Sequence, residues 1–228
     1  MTPRPIIDAT FTIPARGVQL EGDLVLPERA WGLVIFAHGS GSSRKSPRNR
    51  FVAEALWARG LGTLLFDLLT LGEEQDDAVD AHLRFDIPLL ARRLVAVTDW
   101  VRARGETHDL ALGYFGASTG AAAAVVAAAQ RPHDIRAVVS RGGRPDLAHL
   151  ALDLVTSPTL LIVGGEDTGV LRLNEDALER LPGIKRLSIV RGATHLFEEP
   201  GALAEVARLA GDWFLQHLAS EVRFHAPM

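Results

Sequence analysis

Three residues of the types that cooperate in acyl transfer, Ser118, Asp167 and His195, follow one another at separations of 49 and 28 residues. A serine hydroxyl is a weak nucleophile at neutral pH. A histidine must take its proton during attack and return it to the leaving group, while an acid holds the imidazole tautomer and stabilises its charged form. Ser118 is the centre of Gly116-Ala117-Ser118-Thr119-Gly120, a G-x-S-x-G motif. Its glycines permit a turn too tight for side chains two positions either side of the serine. The bland reading is a glycine-rich turn in which Ser118 caps the following helix. Glu166 and Asp146 compete with Asp167 as the acid, and the bland reading of His195 is an ordinary polar loop histidine.

The elements that must position these residues are legible from hydrophobic patterning. Residues 110–115 read as a buried strand, and an alanine-rich helix follows the motif. The serine therefore stands between strand and helix, with the Thr119 amide directed to where an oxyanion would form at the helix N-terminus. An earlier apolar run, 31–37, ends in His38-Gly39-Ser40-Gly41, where a glycine-rich loop would supply the second oxyanion donor. The Ser40 amide is the candidate, and His38 is read as a structural hydrogen-bonding residue in preference to a base. Strand-like runs at 158–163 and 184–190 precede Asp167 and His195.

The remaining pattern predicts a hairpin from strands 9–13 and 18–26, strands at 62–69 and 135–140, and helices over 46–59, 85–104, 170–181 and 201–218. Alternating strands and helices predict an α/β fold, a mostly parallel eight-stranded sheet flanked by helices on both faces. Such sheets carry their sites at the carboxyl ends of the strands. The interval between 69 and 85 is too short for a lid domain.

Composition narrows the function classes. The 228 residues are expected to form one domain, 1–228, and contain no cysteine, so neither a thiolate nucleophile nor a disulfide is available. The net charge of −4 argues against nucleic acid as partner. No apolar run is long enough to span a bilayer and no leader-like segment opens the chain, so the expectation is a cytoplasmic protein without membrane attachment. Eight histidines show no close pairing with one another and no H-E-x-x-H, so no metal site is expected, and the serine chemistry needs no cofactor. The sequence leaves the oligomeric state open.

Two basic groups bear on substrate. Arg44, Lys45, Arg48 and Arg50 begin a helix, and are read either as an anion site or as a solvated face paired with the acidic run Glu73, Glu74, Asp76, Asp77 and Asp80. Arg141 and Arg144 follow the strand beside the elbow strand, where one of them could orient an acidic substrate by bidentate contact. Asp67 is read either as a rim residue or as a loop cap, and Trp57, Trp100 and Trp213 as packing residues.

HGSG, GASTG, GGEDTGV and GATHLFEEPG together resemble the α/β-hydrolase superfamily, and more closely its dienelactone hydrolase-like branch without a lid domain. The resemblance covers essentially the whole chain. SPRNRFVAEAL, AHLRFDIPLLA and SRGGRPDLA are similar to bacterial hydrolase-like domains, some of whose relatives are fused to a phosphoribosyltransferase domain that this sequence lacks. Dienelactone hydrolases proper carry a cysteine nucleophile, whereas position 118 is serine. The resemblance thus implies a serine hydrolase of carboxylesterase or lactonase type acting on small soluble esters or lactones. The rival from another class is a catalytically weak ligand-binding or regulatory domain on the same fold.

Overall fold

A computed structural model describes residues 5–219, so the outermost residues of the expected 1–228 domain lie outside it. Its sheet has eight strands: β1 (Pro5–Ala15), β2 (Val18–Pro27), β3 (Gly32–Ala37), β4 (Leu61–Phe66), β5 (Ala111–Ala117), β6 (Ile135–Arg141), β7 (Thr159–Gly164) and β8 (Lys185–Val190). Their order is β1-β2-β4-β3-β5-β6-β7-β8. The β1–β2 and β2–β4 pairs are antiparallel, and the pairs from β3 to β8 are parallel. Strands β3, β4, β5 and β7 are buried at every position, which is why their sequences read as unbroken apolar runs.

The helices are α1 (Pro47–Trp57), α2 (Leu71–Asp80), α3 (Ile87–Arg102), α4 (Thr119–Gln130), α5 (Thr168–Arg180) and α6 (Ala202–Leu218). On one face of the sheet, α3 and α4 share a core with Leu33, Ile35, Leu112, Tyr114 and Val138. On the other, α1 and α6 cover Val34, Phe36, Phe115, Ala137 and Val139. Small side chains permit this closeness. Ala121 to Ala124 are fully buried, so α4 lies directly on the strands, and Gly113 leaves the space taken by the Phe214 ring.

Three differences from the sequence expectation have physical causes. The first strand begins at Pro5 rather than residue 9, because an edge strand pairs on one side only and its outer residues stay exposed. Helix α2 was not expected: Asp77 is its sole buried residue, so it lacks an apolar stripe. Pro145–Leu154 forms 3-10 turns, interrupted by His149 at φ +47°, where an apolar sequence gave no periodic signal. Among the described residues no helix is long and apolar enough to cross a membrane.

Candidate active site

The turn between β5 and α4 is tightly packed. Ser118 has φ +50° and ψ −119°, a combination that is costly for a residue with a Cβ. The flanking glycines are required by space. A Cβ on Gly116 would lie 2.4 Å from the Ala121 Cα, and one on Gly120 would lie 2.3 Å from the carbonyl oxygens of Ala37 and His38. The Ser118 side chain makes no capping hydrogen bond to α4, so the capping reading of this serine does not hold. Its amide donates to the Arg141 carbonyl at 3.2 Å and its carbonyl accepts from the Arg144 amide at 3.1 Å, which ties the elbow to the turn after β6.

The acid and the histidine meet across the ends of β7 and β8. His195 Nδ1 lies 2.6 Å from Asp167 Oδ2. With Nδ1–H donated to the carboxylate, Nε2 is left with its lone pair free. The approach is enforced by backbone: a Cβ on Gly164 would lie 2.4 Å from the Ala193 carbonyl oxygen, and the Glu166 amide donates to that same oxygen at 3.0 Å. Of the two competing acids, Asp146 is held by both forks of Arg144 at 2.9 and 2.7 Å, and Glu166 is exposed. Gly142, at φ +52°, lies flat against the imidazole, where a Cβ would be 3.4 Å from Cε1. Ser118 and His195 therefore flank the same turn.

Two residues that the sequence did not single out hold this arrangement. Asn174 of α5, fully buried, donates to the Gly143 carbonyl at 3.0 Å and to the Val170 carbonyl at 2.8 Å. Glu199 accepts from the Thr194 amide at 3.0 Å and the Thr194 hydroxyl at 2.5 Å, closing the loop that carries His195. The Thr194 hydroxyl bond in turn holds the Glu199 carboxyl below the usual carboxylate range. Asn174 acts through a long-range contact that leaves no motif, and Glu199 through a contact within the GATHLFEEPG loop.

The glycine-rich loop after β3 stacks on the elbow, and a Cβ on Gly39 would lie 3.2 Å from the Ser118 Cβ. The Ser40 amide does not stand free: it donates to the Thr119 hydroxyl oxygen at 3.0 Å. His38 is structural. Its Nε2 accepts from the Leu68 amide at 3.0 Å, so Nδ1 carries the proton and donates to the Gly39 carbonyl at 2.9 Å. Burial pushes its pKa down, which favours this neutral form.

Within the basic cluster after this loop, Arg44 and Lys45 are neutralised, but not by the acidic run that the sequence suggested. Arg44 pairs with Asp67, Glu21 and Asp23, and Lys45 with Asp23. Asp67 also accepts the Arg44 amide at 2.7 Å, so it pins the loop rather than facing a substrate. Glu73 pairs instead with Arg93, and Asp77 with Arg84. Most of these partners are about twenty residues or more apart in sequence, where spacing carries no signal. The three tryptophans pack as expected: Trp57 donates to the Thr63 hydroxyl, Trp100 packs against Phe11 with the two rings tilted at 59°, and Trp213 is buried. A cleft of about 540 Å³ opens beside Ser40 and Thr119, bounded further by Arg48, Leu69, Glu74 and Leu90.

A solved structure described as dienelactone hydrolase from Anabaena variabilis is 58% identical to this chain, with a TM-score of 0.91, over 96% of this chain and 100% of that one. The chain belongs to the dienelactone hydrolase family. An α/β serine hydrolase without lid from Xanthomonas campestris shares the family's fold at 22% identity and a TM-score of 0.76, over 96% and 98% of the two chains. No family model matches the chain. Curated proteins from two strains of Mycobacterium tuberculosis, provisionally named phosphoribosyl transferases, are 56% identical over 214 residues. That match takes in 94% of this chain, which spans 47% of the length of those relatives. This member of the dienelactone hydrolase family carries a serine at the elbow and no cysteine.

Proposed function

We propose that this protein is a serine hydrolase that cleaves small carboxylic esters or lactones through an acyl-enzyme on Ser118. The observation that carries the reading is the strained Ser118, with no helix-capping role for its side chain, set across one turn from a His195 whose Nδ1 is held by Asp167 at 2.6 Å. In this reading His195 Nε2 takes the hydroxyl proton as Oγ attacks the acyl carbonyl, and returns it to the departing alkoxide. Water then attacks the acyl-enzyme with the same histidine as base. Asp167 stabilises the imidazolium between these steps.

The oxyanion would be met by the Thr119 amide and by the Thr119 hydroxyl. That hydroxyl accepts from the Ser40 amide, so its own proton is left to donate, and the incoming hydrogen bond makes it a stronger donor. Ser40 thus assists through Thr119. The transferase name of the curated relatives we assign to the part of those proteins outside the matched 47%.

Turnover of p-nitrophenyl acetate and butyrate by the wild type, abolished in Ser118→Ala with the fold retained by circular dichroism, is the expected result. Undiminished turnover in that variant would contradict it.

A further inference from the structure

Of the two arginines at the end of β6 and just beyond it, Arg144 is spent on Asp146, but Arg141 has no carboxylate. It is 8% exposed, and its Nε and Nη1 are enclosed with no acceptor. No carboxylate among the described residues pairs with it. The guanidinium lies over the Phe197 ring, 5.9 Å from its centroid, on the α1 side of the sheet beneath the loop that carries His195. Burial pushes its pKa down to about 10, and the charge of nearby Arg48 pushes the same way. It is still a cation at neutral pH.

Arg48 repeats the pattern. Its Nε is buried without an acceptor, and its Nη1 reaches Glu198 at 3.0 Å, a carboxylate that is 64% exposed and therefore offsets little charge. Arg48 also lines the cleft beside Ser40 and Thr119. Two guanidiniums from different elements are thus near enough for the charge of one to lower the pKa of the other, and three of their nitrogens are buried without an acceptor. A folded protein leaves buried charge without a counterion only at considerable cost.

We propose that Arg141 and Arg48 form a binding site for a phosphate group beneath the His195 loop, entered from the Arg48 end of the cleft. A phosphate suits it better than a carboxylate. Its charge approaches −2, matching two cations, and its tetrahedral oxygens can accept from two guanidinium planes at once, whereas a carboxylate offers one plane and one charge. Occupancy would also brace Phe197, which sits at φ +56°, and through it the histidine loop.

The test is thermal melting and titration calorimetry of the full chain with inorganic phosphate, against chloride at matched ionic strength. Wild type should show a saturable rise in melting temperature and a measurable heat of binding, with Kd in the millimolar range or below. Arg141→Met and Arg48→Gln should each weaken binding at least tenfold. Should Arg141→Met fail to fold, Arg48→Gln alone decides, since that side chain is half-buried. Phosphate no more stabilising than chloride, or full binding by Arg48→Gln, would overturn the proposal. The source of the group is read from p-nitrophenyl acetate turnover: competitive inhibition by phosphate assigns it to substrates, and a change in kcat alone to a free anion. The binding result stands whether or not Ser118 turns over esters.

Discussion

Thr119 is asked for two donors in the proposed mechanism, its amide and its hydroxyl, and the second can be removed alone. Thr119→Val keeps the shape but loses the hydroxyl, and it frees the Ser40 amide that the hydroxyl now holds. Loss of one oxyanion donor costs on the order of 10²–10³ in kcat. Because the freed amide compensates in part, we expect kcat to fall by about ten- to a hundredfold in Thr119→Val and to stay near wild type in Thr119→Ser. Faster turnover in the valine variant would mean that the hydroxyl obstructs the Ser40 amide rather than relaying it. Ser118, Asp167 and His195 could be read in the sequence because their types, order and positions after strands are all constrained by one chemistry. Asn174 and Glu199 could not, because each matters only through a partner that folding brings to it. The hydrogen bond from the Ser40 amide to the Thr119 hydroxyl was not legible, since a threonine hydroxyl has no sequence signature for the partner it selects.

At the scale of the element, the elbow and α2 are opposite cases. The elbow is over-determined by backbone contacts. A methyl group on Gly120 would have to displace the carbonyls of both Ala37 and His38. Overpacking of this kind costs about 1–3 kcal/mol, and Gly120→Ala should reach the top of that range in chemical denaturation and lose ester turnover as well. Helix α2 is held by ion pairs and caps. Its start was available in Thr70-x-x-Glu73, a capping box that the structure completes, but the acidic run obscured it. Burial works to raise the Asp77 carboxyl, yet hydrogen bonds from the Arg84 guanidinium and from the Arg84 and Leu83 amides hold it below its ordinary value of 3.8. A depressed carboxyl contributes stability above its unfolded-state pKa and loses it as pH falls through the folded-state value. Melting temperature should therefore drop as pH falls through about 4 and below, and Asp77→Asn should be less stable at pH 7 with a shallower acid slope. An unchanged slope would show that α2 docking does not depend on this charge.

Across the whole molecule, the sheet divides two cores that were legible as classes of residue but not as partners. Unbroken apolar runs announced doubly covered strands, and alternation of elements announced the parallel order. The fit of Phe214 into the space above Gly113 was not readable, since it joins α6 to β5 across a hundred residues of chain. Phe214 is fully buried, so Phe214→Ala should cost about 3–5 kcal/mol, seen as a lower denaturation midpoint, while kcat of the folded fraction stays near wild type. A fall in kcat alone would place α6 in the site rather than beneath it.

The claim on which the account turns is that Ser118 is an activated nucleophile, and a fluorophosphonate tests it most directly. Intact-mass analysis after treatment should show one phosphonyl adduct, mapped by peptide sequencing to Ser118. The adduct should be absent from Ser118→Ala and formed far more slowly in His195→Ala. An unmodified wild-type protein, or an adduct that persists in Ser118→Ala, would contradict it and leave the fold as a binding scaffold.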